Sequence, residues 1–195
     1  MSELDRLEQT LRLIDQANSE DPNIEEWLGQ LYAKELLYGI RMSNRLDQYM
    51  PDAPDYLRIA ARAQHIQRWT IKRSDYPEGK VGYKHWRTEL GRFHAETAAA
   101  LMAETGYPQA DVERVKSLIQ KKQLKQDPEV QILEDVICLV FLEFYLEEFA
   151  TKHSEEKLIS IIQKTWQKMS EKGHEIALKL PLSEPMLALV QKALA

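Results

Sequence analysis

Val136-Ile137-Cys138-Leu139-Val140-Phe141-Leu142 is apolar on every side when wound as a helix. A helix that offers water no polar face has to be packed round by others, so this stretch predicts the centre of a helical domain. Asp127-Pro128, just upstream, supplies a cap and a first-turn proline for it. Outward in both directions, punctuation falls between further helical patterns. Upstream, Pro108 opens a helix, and another spans about Tyr83 to Glu104 and stops at Gly106. Thr70 to Gly82 reads as an irregular connection, of a length that in a small domain is often functional. A helix from Asp55 to Trp69 follows the break Met50-Pro51-Asp52-Ala53-Pro54. One from Asp21-Pro22-Asn23 to about Asp47 precedes that break, and residues 2–18 carry Leu4, Leu7, Leu11 and Ile14 at helical spacing. Downstream, helices are expected from about Ser154 and after Ser183.

Strand-like alternation is nearly absent. The expectation is an all-α, single-domain bundle of about seven to nine helices over residues 1–195, a length that one core can serve. With 44% hydrophobic and 29% charged residues, a folded domain is expected rather than a disordered chain. The net charge of −5 argues against nucleic acid as a partner. A single cysteine, Cys138, forms no internal disulfide and fits a reducing compartment. The opening MSELDRLEQT does not read as a signal peptide, and no apolar run approaches the roughly 20 residues of a membrane span. A cytoplasmic protein is expected, with no membrane partner; a homodimer is compatible with it.

Polar groups interrupt four of the apolar stripes. Glu35 sits among Leu28, Leu31, Met42 and Leu46, with Tyr38 beside it, and Gln64 and His65 among Leu57, Ala60 and Ala61. His94 lies between Leu90, Ala98 and Leu101, and Asp135 shares a face with Ile132, Leu139, Leu142 and Leu146. An unpartnered buried carboxylate costs several kcal/mol or is forced to neutralise, so such groups need partners. One divalent transition metal (Zn, Mn or Fe) would serve all four. A buried hydrogen-bonded network without metal is the alternative.

Ala60-Ala61-Arg62-Ala63-Gln64-His65-Ile66, then Phe93-His94-Ala95 through Gly106 to Ile119, then Gln131-Ile132-Leu133-Glu134-Asp135, resemble in order and spacing the HD-domain superfamily of metal-dependent phosphohydrolases over about residues 30–145. The chain departs from that pattern. Gln64-His65 replaces a His-Asp doublet, Glu35 stands in the place of a first ligand His, and Lys121-Lys122 in that of a further one. The resemblance therefore implies an HD-like core with one ion, held by some of Glu35, His65, His94 and Asp135, with Glu134 or Lys122 for proton transfer. The strings AARAQHIQRW (60–69), YPEGKVGYKHWR (76–87), FHAE (93–96), LEDVICLVFLE (133–143) and KTWQKMSEKG (164–173) resemble, more closely, the uncharacterised domain-of-unknown-function family 4202. That family brings no activity with it.

Residues 51–92 hold nine Lys and Arg against five Asp and Glu, a local charge of +4 in an acidic chain. Trp69, Tyr76, Tyr83 and Trp86 alternate there with Arg68, Lys72, Arg73 and Arg87. Guanidinium forks grip phosphate or carboxylate, and aromatic faces stack on a base or sugar. This pattern predicts a lid over a small anionic or phosphorylated molecule, a nucleotide included, with Gln64 beside it. The alternative is that the arginines pair with acidic residues elsewhere and the rings fill core. Lys168-Met169-Ser170-Glu171-Lys172 is similar to an ATP-binding loop of class I aminoacyl-tRNA synthetases, but the α/β fold that loop works in is not predicted here. The expected function is a divergent HD-like metal-dependent hydrolase of a small phosphorylated metabolite or nucleotide. The alternatives are a non-catalytic ligand- or partner-binding protein and an iron-dependent oxygenase on the same scaffold.

Overall fold

Asp21 shows how the first unit is assembled. Its carboxylate accepts from the Asn23 amide at 2.9 Å and, fourteen positions on, from the Glu35 amide at 3.0 Å. The cap read at Asp21 thus serves a helix that starts later than the sequence predicts, because a hairpin is inserted between the two. β1 (Ile24–Trp27) pairs antiparallel with β2 (Gln30–Ala33). Leu28 (φ 52°) and Gly29 (φ 76°) form the two-residue turn, both left-handed as a type I′ turn requires. Arg41 anchors the hairpin, meeting Glu25 at 2.5 Å and lying over the Trp27 ring at 5.7 Å. Leu28 and Leu31, expected on the apolar stripe of a helix, are exposed on this hairpin.

The computed structural model describes residues 3–195, in two compact units, the first ending at Gln123 and the second comprising Leu124–Ala195. Helices dominate both. In the first, α1 (Glu3–Ser19) precedes the hairpin, and α2 (Lys34–Tyr49), α3 (Asp55–Arg62), α4 (Gly79–Glu104) and α5 (Gln109–Ile119) follow it. α5 packs on α3 and α4, α2 on α3, and α1 on α2, α3 and α4. Leu37, Met42, Leu57, Ile59, Leu90, Met102 and Leu118 fill the space between them. Polar ties join the same helices. Arg62 grips Asp15 through two bonds of 2.6 and 2.7 Å, and the Thr10 and Thr105 hydroxyls meet at 2.7 Å.

Two boundaries differ from expectation. α3 ends at Arg62 rather than at Trp69, and no helix continues through Gln67, which is left-handed (φ 49°) with its amide held at 2.9 Å by the buried Asn18 side chain. α4 begins at Gly79 rather than at Tyr83, so the irregular connection lies earlier in the chain, at 63–78, and contains two 3-10 turns, Arg68–Thr70 and Arg73–Asp75.

The second unit comprises α6 (Pro128–Val140), a π-helical turn at Phe141–Tyr145, α7 (Leu146–Ala150), α8 (Glu155–Lys168), α9 (Glu171–Ala177) and α10 (Glu184–Leu194). Asp127 caps α6 as expected, accepting from Glu129 and Val130, and Pro128 occupies the first turn. Val136, Leu139 and Val140 are wholly buried. α8 and α9 pack on α6, and α10 packs on α8. Among the described residues no helix is long and apolar enough to cross a membrane.

The string that resembled a nucleotide-binding loop docks α9 on α6. The Ser170 amide donates to Asp135 at 2.8 Å and the Ser170 hydroxyl bonds the other Asp135 oxygen. The same hydroxyl accepts from the Gly173 amide at 3.1 Å, capping α9. Gln131 joins in, donating to Asp135 at 3.0 Å and to the Lys168 carbonyl at 2.8 Å. A Cβ at Gly173 would come within 2.9 Å of the Asp135 carboxyl carbon, so a side chain here would break the fit. His174 stacks flat on Trp166 with ring centres 4.1 Å apart.

Candidate functional site

Three of the polar groups picked out on apolar stripes do come together, in the first unit. α2 presents Glu35 in its first turn, the turn after α3 presents Gln64, His65 and Arg68, and α4 presents Trp86, Arg87 and His94. His65 Nδ1 lies 3.2 Å from a Glu35 oxygen. Arg68 donates to His65 Nε2 at 3.0 Å. A guanidinium can only donate, so Nε2 accepts and the His65 proton sits on Nδ1, facing Glu35. Tyr38 stacks on the His65 ring at 3.9 Å, which fixes its plane. Arg68 is held from two further sides, by the other Glu35 oxygen at 3.9 Å and by the Trp86 face at 5.0 Å.

The electrostatics follow from burial. Desolvation lifts the Glu35 carboxyl to about 7, with the Arg68 charge pulling the other way. Burial keeps the His65 imidazole well below its ordinary range, and the charges of Arg68, Arg87 and Lys121 add to this. His94 is kept neutral down to about 3, chiefly by burial, against the favourable bond to Ile66 and with Arg68 and Arg87 in support of neutrality.

His94 Nδ1 donates to the Ile66 carbonyl at 2.7 Å, so Nε2 carries the lone pair. That atom is buried and has no hydrogen-bond partner, and so is Gln64 Oε1. Both side chains line a cleft of about 470 Å³. Arg87, Arg92, Lys121 and Lys122 line it as well, with Leu90 and Ile119 as its apolar wall and no carboxylate among its lining residues. Arg92 is bonded to Glu89 at 2.7 Å.

Lys121 is held in a left-handed conformation (φ 55°) at the end of α5. The Lys122 amide bonds the Ser117 carbonyl at 3.1 Å and the Lys121 amide the Leu118 carbonyl at 3.0 Å, a Schellman closure. α4 ends in the same pattern, with bonds from Tyr107 to Met102 and Gly106 to Ala103, and there the left-handed residue is Gly106. Glycine suits that position, and another residue in it costs about 1 kcal/mol. α5 uses a lysine and gains an ammonium group at the cleft. No sequence reading of Lys121 as a displaced ligand His foresaw this; the signal was a helix end without glycine.

The other residues picked out from sequence are placed differently. Trp86 donates from its indole to the Ile71 carbonyl at 2.9 Å, Arg73 donates to the Tyr76 carbonyl at 2.9 Å, and Tyr76 meets His85 edge-on at 5.3 Å. Tyr83 is half exposed, 5.8 Å from the Trp86 ring centre, and Trp69 is half-buried. None of these four rings lines the cleft. Asp135 and Glu134 belong to the second unit, where Asp135 holds Ser170 and Gln131 and Glu134 lies 3.6 Å from the Lys168 ammonium.

A metal ion asks for several lone pairs converging on one point. Among the described residues no three His, Cys, Asp or Glu side chains come together in that way. The lone pair of His65 is taken by Arg68, leaving His94 Nε2 as the open nitrogen donor of the cluster. As placed, the cleft sets cationic side chains beside two hydrogen-bond acceptors, His94 Nε2 and Gln64 Oε1. No curated protein and no solved structure matches the chain. The family model described as Domain of unknown function (DUF4202) matches residues 8–190, and the chain belongs to that family.

Proposed function

We propose that the first unit binds a small phosphorylated molecule in the cleft between α4 and the end of α5. The observation that carries this reading is the lining itself, which combines Arg87, Lys121 and Lys122 with no carboxylate. A dianion is attracted to a concave surface lined by cationic side chains. Arg87 offers a fork for two phosphate oxygens, and the lysines add point charges. Arg68 takes part from behind, holding His65 against Glu35. The test is isothermal titration with inorganic phosphate and glucose 6-phosphate, on the parent and on Arg87→Ala/Lys121→Ala. Binding to the parent that weakens about ten- to hundredfold in the variant supports the reading. Affinity that is unchanged in the variant, or absent from both, overturns it.

A second reading, the divergent HD-like hydrolase with one Zn, Mn or Fe ion, has one observation in its favour. The open Nε2 of His94, with Nδ1 fixed on a carbonyl, is how metal-binding histidines are oriented. It would require Arg68 to release His65. Metal in near-stoichiometric amount in protein purified without chelator, lost on His94→Ala, would favour it over simple binding. Metal-independent affinity for the phosphorylated probe would count against it.

A further inference from the structure

Resting on that reading of the cleft, we infer that the molecule it takes is a phosphorylated polyol or sugar, with hydroxyl groups beside its phosphate and no aromatic base. Two acceptors carry the inference. His94 and Gln64 are 3% and 5% exposed, both line the cleft, and His94 Nε2 and Gln64 Oε1 have no hydrogen-bond partner. Neither can be met by the dianion of a phosphate monoester, whose oxygens only accept. A buried acceptor without a donor is unfavourable by about 1–3 kcal/mol, so a ligand bringing two donors gains over one bringing none. Hydroxyl groups on a carbon skeleton are the economical way to supply donors a short distance from a phosphate. Leu90 and Ile119 provide the apolar wall against which the skeleton would lie.

None of the rings that would hold a nucleobase lines the cleft. Trp86 is covered by Arg68 at 5.0 Å and bonded to Ile71, while Tyr76 is turned edge-on to His85. A space of about 470 Å³ is near the lower end of small-molecule sites and suits a monosaccharide-sized ligand.

The experiment compares sorbitol 6-phosphate and glucose 6-phosphate with hexyl phosphate, which has the same charge and carbon number but no hydroxyl, by isothermal titration. Inorganic phosphate and adenosine monophosphate complete the series. At least one of the two polyol phosphates is expected to bind about tenfold more tightly than hexyl phosphate. Gln64→Met, which keeps length and removes the acceptor, is expected to shrink that ratio. Equal or tighter binding of hexyl phosphate, or adenosine monophosphate binding tightest, overturns the inference and leaves the anion cleft standing. Failure of all five compounds, inorganic phosphate included, overturns the cleft reading and this inference together. The ligand series on the parent decides the matter even if Gln64→Met does not fold.

Discussion

Asp135 and His94 both lie on apolar helix faces and both are buried, yet the structure treats them in opposite ways. Asp135 is fully enclosed, with bonds from Gln131 and from the amide and hydroxyl of Ser170, all inside the second unit. His94 has one nitrogen fixed by Ile66 and the other without a partner, at the wall of a cleft. A buried polar group that is satisfied holds a fold together. One that is left unsatisfied calls for an explanation. In sequence the two look alike, because an ionisable residue on an apolar stripe does not reveal whether its partners are within the chain.

The contrast is sharpest in stability. Asp135→Ala leaves the Ser170 donors and the Gln131 amide facing an apolar void, and a loss of about 3–5 kcal/mol is expected. Chemical denaturation measures it, and any phosphate affinity of protein that remains folded should be unchanged. A loss below about 1 kcal/mol would break the distinction drawn here.

A smaller effect appears as pH dependence. His94 titrates at about 3 in the folded chain against 6.5 when exposed. The unfolded state therefore binds more protons between those values, and stability that is complete above pH 6.5 is lost as pH falls toward 3. Denaturation of the parent and of His94→Leu across that range should differ in slope by up to about 1.4 kcal/mol per pH unit, the parent being steeper. Glu35, raised to about 7 by burial, acts in the opposite sense. It costs stability as pH rises from 4.5 to 7, and Glu35→Gln should remove that component.

The smallest effect compares the two Schellman ends. Lys121→Gly converts the end of α5 to the chemistry of α4 at Gly106, so stability should rise by about 0.5–1 kcal/mol. Phosphate affinity should fall at the same time. Stability that falls instead would show that Lys121 is held for packing rather than for charge.

The sequence carried the fold class through punctuation. Asp127-Pro128, Gly106, Ser154 and Ser183 mark helix ends where they were read. The hairpin at 24–33 was hidden because Asp21 does cap a helix, one whose first turn lies beyond an insertion; Leu28-Gly29 carried a turn signal that a helical stripe of leucines obscured. In the site, Glu35, Gln64, His65 and His94 were legible as polar interruptions of apolar stripes, and Arg68 as part of the basic and aromatic segment. Their mutual arrangement was not, since it depends on the left-handed backbone at Gln67, where nothing in the residue type requires it. The roles of Lys121 and of the Ser170–Gly173 lock depended in the same way on backbone conformation and on contacts distant in sequence.

The most direct test is an amide NMR titration of the labelled chain with inorganic phosphate and with glucose 6-phosphate. The account predicts saturable shifts at Arg87, Lys121 and Lys122, with Ser170 and Gly173 unmoved. Shifts confined to the second unit, or a spectrum that neither compound changes, would contradict it.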